Sequence, residues 1–359
     1  MTARTCVALL LASLIATPAL GQAPAPAGRI KLAAGTAFVV HEGQRIPAAV
    51  GTPVFEQDSV ATGADGRVGV TLRDDTRLSI GPQATIEISR FVYAQSDSQF
   101  AFVLKVVRGV VAYVSGRIAK LSPDAVRLET PSAINGGARH ASRDRGDAMS
   151  RRVLWLAVLA ALVASAACGP RRVSTKGAPG PSTVVLLAEP DGTVGHAVVT
   201  SVAGAGMVEL SGDRAATTVG RRRAPSPVAQ LDASAIEQRF GPTLASLPLA
   251  PEAFTLYFRL ESDELTDESR ALLPGVLKAV AGRPAPEVGV VGHTDTTGDS
   301  RSNYTLGLER ATRVRIALIG AGVDASLIDV SSLGESDLRI KTADNVLEPR
   351  NRRVEISVR

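Results

Sequence analysis

Gly292-His293-Thr294-Asp295, Asn303-Tyr304, Leu308-Glu309-Arg310-Ala311 and Asn351-Arg352-Arg353-Val354 follow one another near the end of this 359-residue chain. The residues around them alternate between two kinds of local pattern. Phe254-Thr255-Leu256-Tyr257-Phe258 is a β-branched and aromatic run that suits a buried strand. Thr266 then offers a helix N-cap, with Asp267 and Glu268 in the first turn, where carboxylates suit the helix dipole. Ala271, Leu272, Val276 and Val280 mark one helix face, Pro274 predicts a kink in it, and Gly282 and Pro284 stop it. Val288-Gly289-Val290-Val291 reads as the next strand, and a second helix follows with Leu308, Ala311, Val314 and Leu318 on one face. Ile328-Asp329-Val330 and Val354-Glu355-Ile356-Ser357-Val358 complete a β-α-β-α-β order, which predicts an α+β domain with helices on one side of a mixed sheet.

These pieces, in this order, resemble the OmpA-like peptidoglycan-binding domain of the OmpA and peptidoglycan-associated lipoprotein family, over residues 251–359. The resemblance implies a non-catalytic protein of the Gram-negative envelope that binds the diaminopimelate of the peptidoglycan stem peptide. It also implies tethering of the outer membrane to the wall. Asp295 would then meet the ligand ammonium and Arg310 its carboxylate, with Asn303, Thr297 and Arg352 lining the same cleft. The chemistry suits the residue types, because a planar guanidinium binds both oxygens of a carboxylate at once. The plain alternative is that Asp295 and Arg310 form an ordinary exposed ion pair, which is worth little. One departure is that Arg259 and Glu261 follow the first aromatic strand, where the family often has Asp and a polar residue such as Asn.

Length predicts two or three domains. Forty Lys and Arg against 35 Asp and Glu give a net charge of +5. The basic runs, Arg139 to Arg152 and Arg221-Arg222-Arg223, lack the interleaved aromatics of single-stranded nucleic-acid surfaces, so no nucleic-acid partner is expected. No catalytic residue is expected either. His293 and Asp295 have no third ligand at zinc-like spacing and no Ser/His or Cys/His nucleophile set accompanies them, so no metal or cofactor is expected. An envelope enzyme such as a wall hydrolase is the alternative from another class.

Residues 1–21 have the form of a secretory signal peptide: Arg4, an apolar run from Val7 to Ala16, and Ala19-Leu20-Gly21 before a cleavage point at Gln22. Residues 153–168 form a second apolar segment, preceded by Met149-Ser150-Arg151-Arg152 and ending in Ser165-Ala166-Ala167-Cys168. This resembles a bacterial lipobox with Cys168 as the lipidated residue, although the usual Leu three positions before the cysteine is absent. The segment is marginal for a bilayer core of roughly 30 Å, which needs about 20 residues. A span there would also place the C-terminal domain on the wrong side of the membrane. A second start at Met149 reads as two genes joined in one chain.

From Arg29 to Pro131 the pattern is β. Arg67 to Arg73, Leu78-Ser79-Ile80 and Ile86-Glu87-Ile88 alternate apolar and polar residues, and Asp74-Asp75 reads as a turn. With Gly109 to Gly116, these stretches resemble the FecR domain, a periplasmic all-β module, over 29–133. That implies a FecR-type regulatory protein as a further alternative, with an envelope protein as possible partner. The closing strand of that domain is missing after Thr130-Pro131-Ser132-Ala133. Residues 134–152 read as a basic linker, 182–219 as a small β-meander, and 220–250 as a linker with a short helix from Ala233 to Phe240. The β half is expected to make few contacts with the C-terminal domain.

Overall fold

The computed structural model describes residues 25–96, 99–130, 133–135, 181–188, 192, 194, 196–201, 204–220, 222–259 and 264–359. The signal peptide, the basic run after residue 135, the apolar segment 153–168 with Cys168, and Glu261 lie outside the described residues. Among the described residues, no helix is long and apolar enough to cross a membrane.

In the C-terminal domain the sheet order is Glu252–Tyr257, Arg353–Val358, Val288–His293, Ile328–Gly334. The first two pairings are antiparallel and the last is parallel, which makes the sheet mixed. Strand residues alternate between faces. Val288, Val290, Val354, Ile356 and Val358 therefore join Leu256 in one core beneath the helices, against Val276, Ala311, Val314 and Leu318. Thr266 caps the first helix by accepting from the Ser269 N–H. That helix breaks rather than kinks: it runs Asp267–Ala271 and resumes as Leu273–Ala281, with Pro274 in the first turn of the second piece. Pro274 has no N–H to donate to the preceding turn, so the break falls where that bond would have been.

The long helix Ser300–Gly320 starts at an Asp299 cap and buries Asn303, Gly307, Ala311, Val314 and Leu318. Its approach to the Val288–His293 strand depends on two glycines. A Cβ on Gly292 would stand 1.8 Å from the Gly307 carbonyl oxygen, so backbone lies on backbone there. This contact fixes how far the helix stands from the strand end.

The N-terminal half has two sheets sharing one core. One sheet runs Val111–Val114, Arg77–Ile80, Arg67–Leu72, Gly28–Ala34, Pro53–Val54. The other is built on Gln99–Arg108, Thr85–Ala94, Ser59–Thr62, Ala37–His41 and Gln44–Pro47. Ile30, Leu72, Leu78 and Ile80 from the first meet Val60, Ile86, Ile88, Phe102 and Leu104 from the second.

Two expectations differ from what is found. Residues 182–219 do not make one meander. Ser182–Val185 pairs with Ala215–Val219 in a separate sheet, whereas His196–Ser201 and Met207–Ser211 extend the larger N-terminal sheet through Ala133–Asn135. The contacts between the β half and the C-terminal domain are not few. The helix Ala233–Leu244 lies on the Arg77–Ile80 strand, where the Ser79 hydroxyl donates to the Thr243 carbonyl and Arg77 Nη1 donates to Pro248 O at 3.1 Å. The polar face of the C-terminal sheet meets the Asp74-Asp75 turn, Arg117 and Lys31. Ser357 Oγ donates to Asp75 Oδ1 at 2.9 Å, and Arg117 Nη2 stands 3.2 Å from Glu355 Oε2. A polar strand face drives this contact, and apolar patterning gives no sign of it.

Gly292→Ala forces a methyl group into the Gly307 backbone, and overpacking of this kind typically costs about 1–3 kcal/mol. Denaturant unfolding of the variant is expected to show a lower midpoint with an unchanged slope. An unchanged midpoint would mean that the helix is not seated on the strand as described.

Candidate functional site

The strand Val288–His293 runs straight into Thr294, Asp295 and Thr296, all of them buried. Thr296 Oγ1 donates to Ala343 O at 2.8 Å and accepts from the Val346 N–H at 3.0 Å, which pins the loop that leads to Glu348. Asn351, fully buried, holds the other part of that loop. Its amide accepts from the Ile340 N–H and donates to the Ile340 carbonyl, both at 2.8 Å. The loop is thus fixed on both sides of Asp295.

Asp295 is 3% exposed, and its two oxygens differ. Oδ2 accepts from Arg352 Nε at 2.6 Å and from the Glu348 N–H at 3.1 Å. Among the described residues, Oδ1 accepts one long bond, 3.3 Å, from the Thr297 N–H. The ion partner of Asp295 is therefore Arg352. Arg310 reaches the same strand end from the long helix, where Nη1 donates to the His293 carbonyl at 3.2 Å. Asn303 is buried and donates to Glu335 Oε2 at 2.6 Å, while the Thr297 side chain is exposed. The five residues of the expected cleft thus fall at one end of the sheet, in different states. Asp295 and Asn303 are held by partners, Arg352 and Arg310 are half-buried, and Thr297 faces solvent. Arg259, just past the Glu252–Tyr257 strand, belongs to a surface cluster with Glu264 and Asp267.

His293 is fully buried on the polar face of the sheet. Nδ1 lies 3.2 Å from the Asp337 carbonyl, an acceptor only, so Nδ1 carries the proton. Burial, and the positive charges of Arg353 and Arg117, push its pKa down to about 3, while Glu355 opposes them. His293, Asp337 and Glu355 are close enough to hold a metal ion. Their carboxylates are already engaged: Arg353 Nε lies 2.8 Å from Glu355 Oε1, Arg353 Nη2 3.5 Å from Asp337 Oδ2, and Arg117 contacts the other Glu355 oxygen. A divalent cation there would stand against two guanidiniums, so the donor set suits a charge network better than a metal. The sequence marked Arg353 only as part of a motif and marked neither Asp337 nor Glu355. No local signal distinguishes them, because they meet only when the sheet forms.

The OmpA family matches residues 257–352. The peptidoglycan-associated lipoprotein of Haemophilus influenzae is 33% identical over 99 residues, 28% of this chain and 65% of that protein. The probable lipoprotein YiaD of Escherichia coli is 38% identical over 86 residues, 24% of this chain and 39% of that protein. An outer membrane protein of Gluconacetobacter diazotrophicus is 31% identical over 115 residues, 30% of each chain. This chain therefore spans less than two thirds of each of these relatives. Among solved structures, the peptidoglycan-associated lipoprotein of Burkholderia pseudomallei is 30% identical, covering 29% of this chain and 89% of that one, with a TM-score of 0.27. The C-terminal domain is OmpA-like, with homologues among outer membrane proteins and peptidoglycan-associated lipoproteins. The family match bears on that domain alone and lends the FecR resemblance of the N-terminal half no support.

His293 is neutral when folded and binds a proton more readily when unfolded, where its pKa is near 6.5. Its contribution is neutral above that value, and stability falls as pH drops from about 6.5 towards about 3. His293→Asn removes the titration. Its unfolding free energy, measured across this window, is expected to lose less on acidification than that of the parent. Parallel pH profiles would exclude a buried neutral imidazole.

Proposed function

We propose that the C-terminal domain binds peptidoglycan through the diaminopimelate of the stem peptide, with Asp295 taking the ammonium and Arg310 the carboxylate. The observation that carries this reading is the convergence of Asp295 and Arg310. The carboxylate follows the strand end directly, and the guanidinium is anchored on the carbonyl two residues before it. Asp295 Oδ1, which among the described residues has one long bond, to Thr297, offers the ammonium an acceptor, while Arg352 and the Glu348 N–H hold Oδ2 in place. Arg352 thus orients the carboxylate. Asn303, tied to Glu335, shapes the wall of the cleft, and Thr297 stands at its mouth.

The relatives support this reading. They include a protein named as a peptidoglycan-associated lipoprotein, that of Haemophilus influenzae. OmpA-type homologues are generally non-catalytic structural proteins, and we extend that role to this chain as a tether between the outer membrane and the wall. Lipidation at Cys168 would supply the membrane end. A wall hydrolase needs a group that touches substrate, and His293, the acid–base candidate of the motif, has no exposed surface.

Purified diaminopimelate-type peptidoglycan is expected to pull down the protein, and Asp295→Ala or Arg310→Ala to release most of it. Loss of one charge-assisted contact costs about 1.5–3 kcal/mol, or roughly ten- to more than a hundredfold in affinity. If both variants are folded by circular dichroism and bind like the parent, the proposed site is wrong.

A further inference from the structure

We infer that the β domain, residues 25–135, and the half from residue 181 onward are partner subunits whose contact holds without the chain that joins them. The sequence already carries a second export-type start, Met149 to Cys168, inside that connection. The structure shows that each side has its own core. The N-terminal core draws on residues from Ala27 to Ile118 and the C-terminal core on residues from Leu256 to Val358, with neither borrowing from the other.

What lies between the cores is a set of matched charges. The Lys31 ammonium has three protons to donate, and all three acceptors come from the other half: Ala285 O at 2.7 Å, Glu287 Oε2 at 2.8 Å and Arg359 O at 3.3 Å. Burial pulls the Lys31 pKa down, and Glu287 opposes that pull. Asp75 stands between Arg117 of its own half, at 3.2 Å, and Arg359 of the other, at 3.4 Å. Arg117 in turn reaches Glu355 across the boundary. Each half therefore presents charges that water solvates when the halves are apart and that find their opposites when they meet. Such pairs fix the register of a contact between separately folded units, whose interfaces resemble those of transient complexes.

Two further contacts extend the same boundary. The helix Ala233–Leu244 covers the Arg77–Ile80 strand, and Ala133–Asn135 pairs with His196–Ser201, which closes an edge that the β domain would otherwise leave open. The kind of partner that fits the polar face of the C-terminal sheet is thus a β domain offering Lys, Asp and Arg in this arrangement. The wall-binding half would carry it as a subunit. The association does not depend on the ligand assigned to Asp295 and Arg310.

The test uses the full chain with a site-specific protease sequence placed between Ala138 and Met149. After cutting, both fragments are expected to co-elute in gel filtration at about 0.15 M salt, at the volume of the uncut protein. In the cut protein Arg117→Glu sets two acids against each other and should weaken the association by about tenfold or more. Arg117→Glu combined with Glu355→Arg should restore it. Where Arg117→Glu disturbs folding, Lys31→Glu, with Glu287→Lys as its rescue, makes the same comparison. Separation of the unaltered fragments, each folded by circular dichroism, would overturn the proposal, and so would co-elution that neither charge reversal weakens. Pull-down of the C-terminal fragment on peptidoglycan, run on the same cut sample, reads wall binding independently of either outcome.

Discussion

A charged ladder on an interior strand stays buried only if every charge meets its opposite, and the strand Arg353–Val358 carries such a ladder. Its apolar residues, Val354, Ile356 and Val358, face the helices. Its polar residues, Arg353, Glu355 and Ser357, with Arg359 beyond the strand end, face the other way. Left exposed, that face would be an ordinary solvated surface. Covered, it needs Asp75 and Arg117, because an unpaired buried charge costs several kcal/mol. The Asp74-Asp75 turn supplies this in two ways. Asp74 is buried and holds Thr76 and the Ile118 N–H, which shapes the turn, while Asp75, at φ 70°, reaches the opposing sheet. Between the two surfaces remains a polar cavity of about 220 Å3 whose lining includes Arg73, Arg117, Arg359, Tyr93 and Tyr304.

The same strand organisation sets the candidate site. His293 is the last residue of a strand whose other face is pressed against Gly307, so the chain leaving it has little freedom. Asp295 emerges there with its orientation fixed by Arg352 and the Glu348 N–H, and Arg310 is held to the strand end by the His293 carbonyl. Packing of helix on strand, through the two glycines, thus brings the acid and the base of the site to one end of the sheet.

Much of the C-terminal fold was legible because its signals are local. Thr266 reads as a cap and is one, and Ala311, Val314 and Leu318 read as one helix face and are buried together. The strand positions followed from β-branched runs. Pro274 was legible as a disturbance, and in the structure it falls in the first turn of a new helical piece rather than at a bend in one helix. In the site, the residues were legible and their pairing was not. Arg352 lies far from Asp295 in sequence, and only the folded loop from Glu348 to Asn351 brings them to 2.6 Å. The domain contact was illegible for a further reason. Asp75 reads in the sequence as a turn residue, because sequence patterning detects apolar burial and is blind to polar burial.

The asymmetry of Asp295 bears on what the proposed cleft selects. Arg352 already satisfies one oxygen, so an incoming ammonium shares the carboxylate rather than displacing a partner, which keeps the desolvation cost of binding low. An anionic group alone would gain nothing from Asp295, and a cationic group alone would gain nothing from Arg310. Only a ligand end that carries both charges uses both residues. A stem peptide with lysine in place of diaminopimelate has the ammonium without the second carboxylate and would gain no contact with the guanidinium. A hydrogen bond to a charged group contributes about 1.5–3 kcal/mol, which the lysine form would forgo. Discrimination between the two wall chemistries in the proposed site therefore rests on Arg310 more than on Asp295.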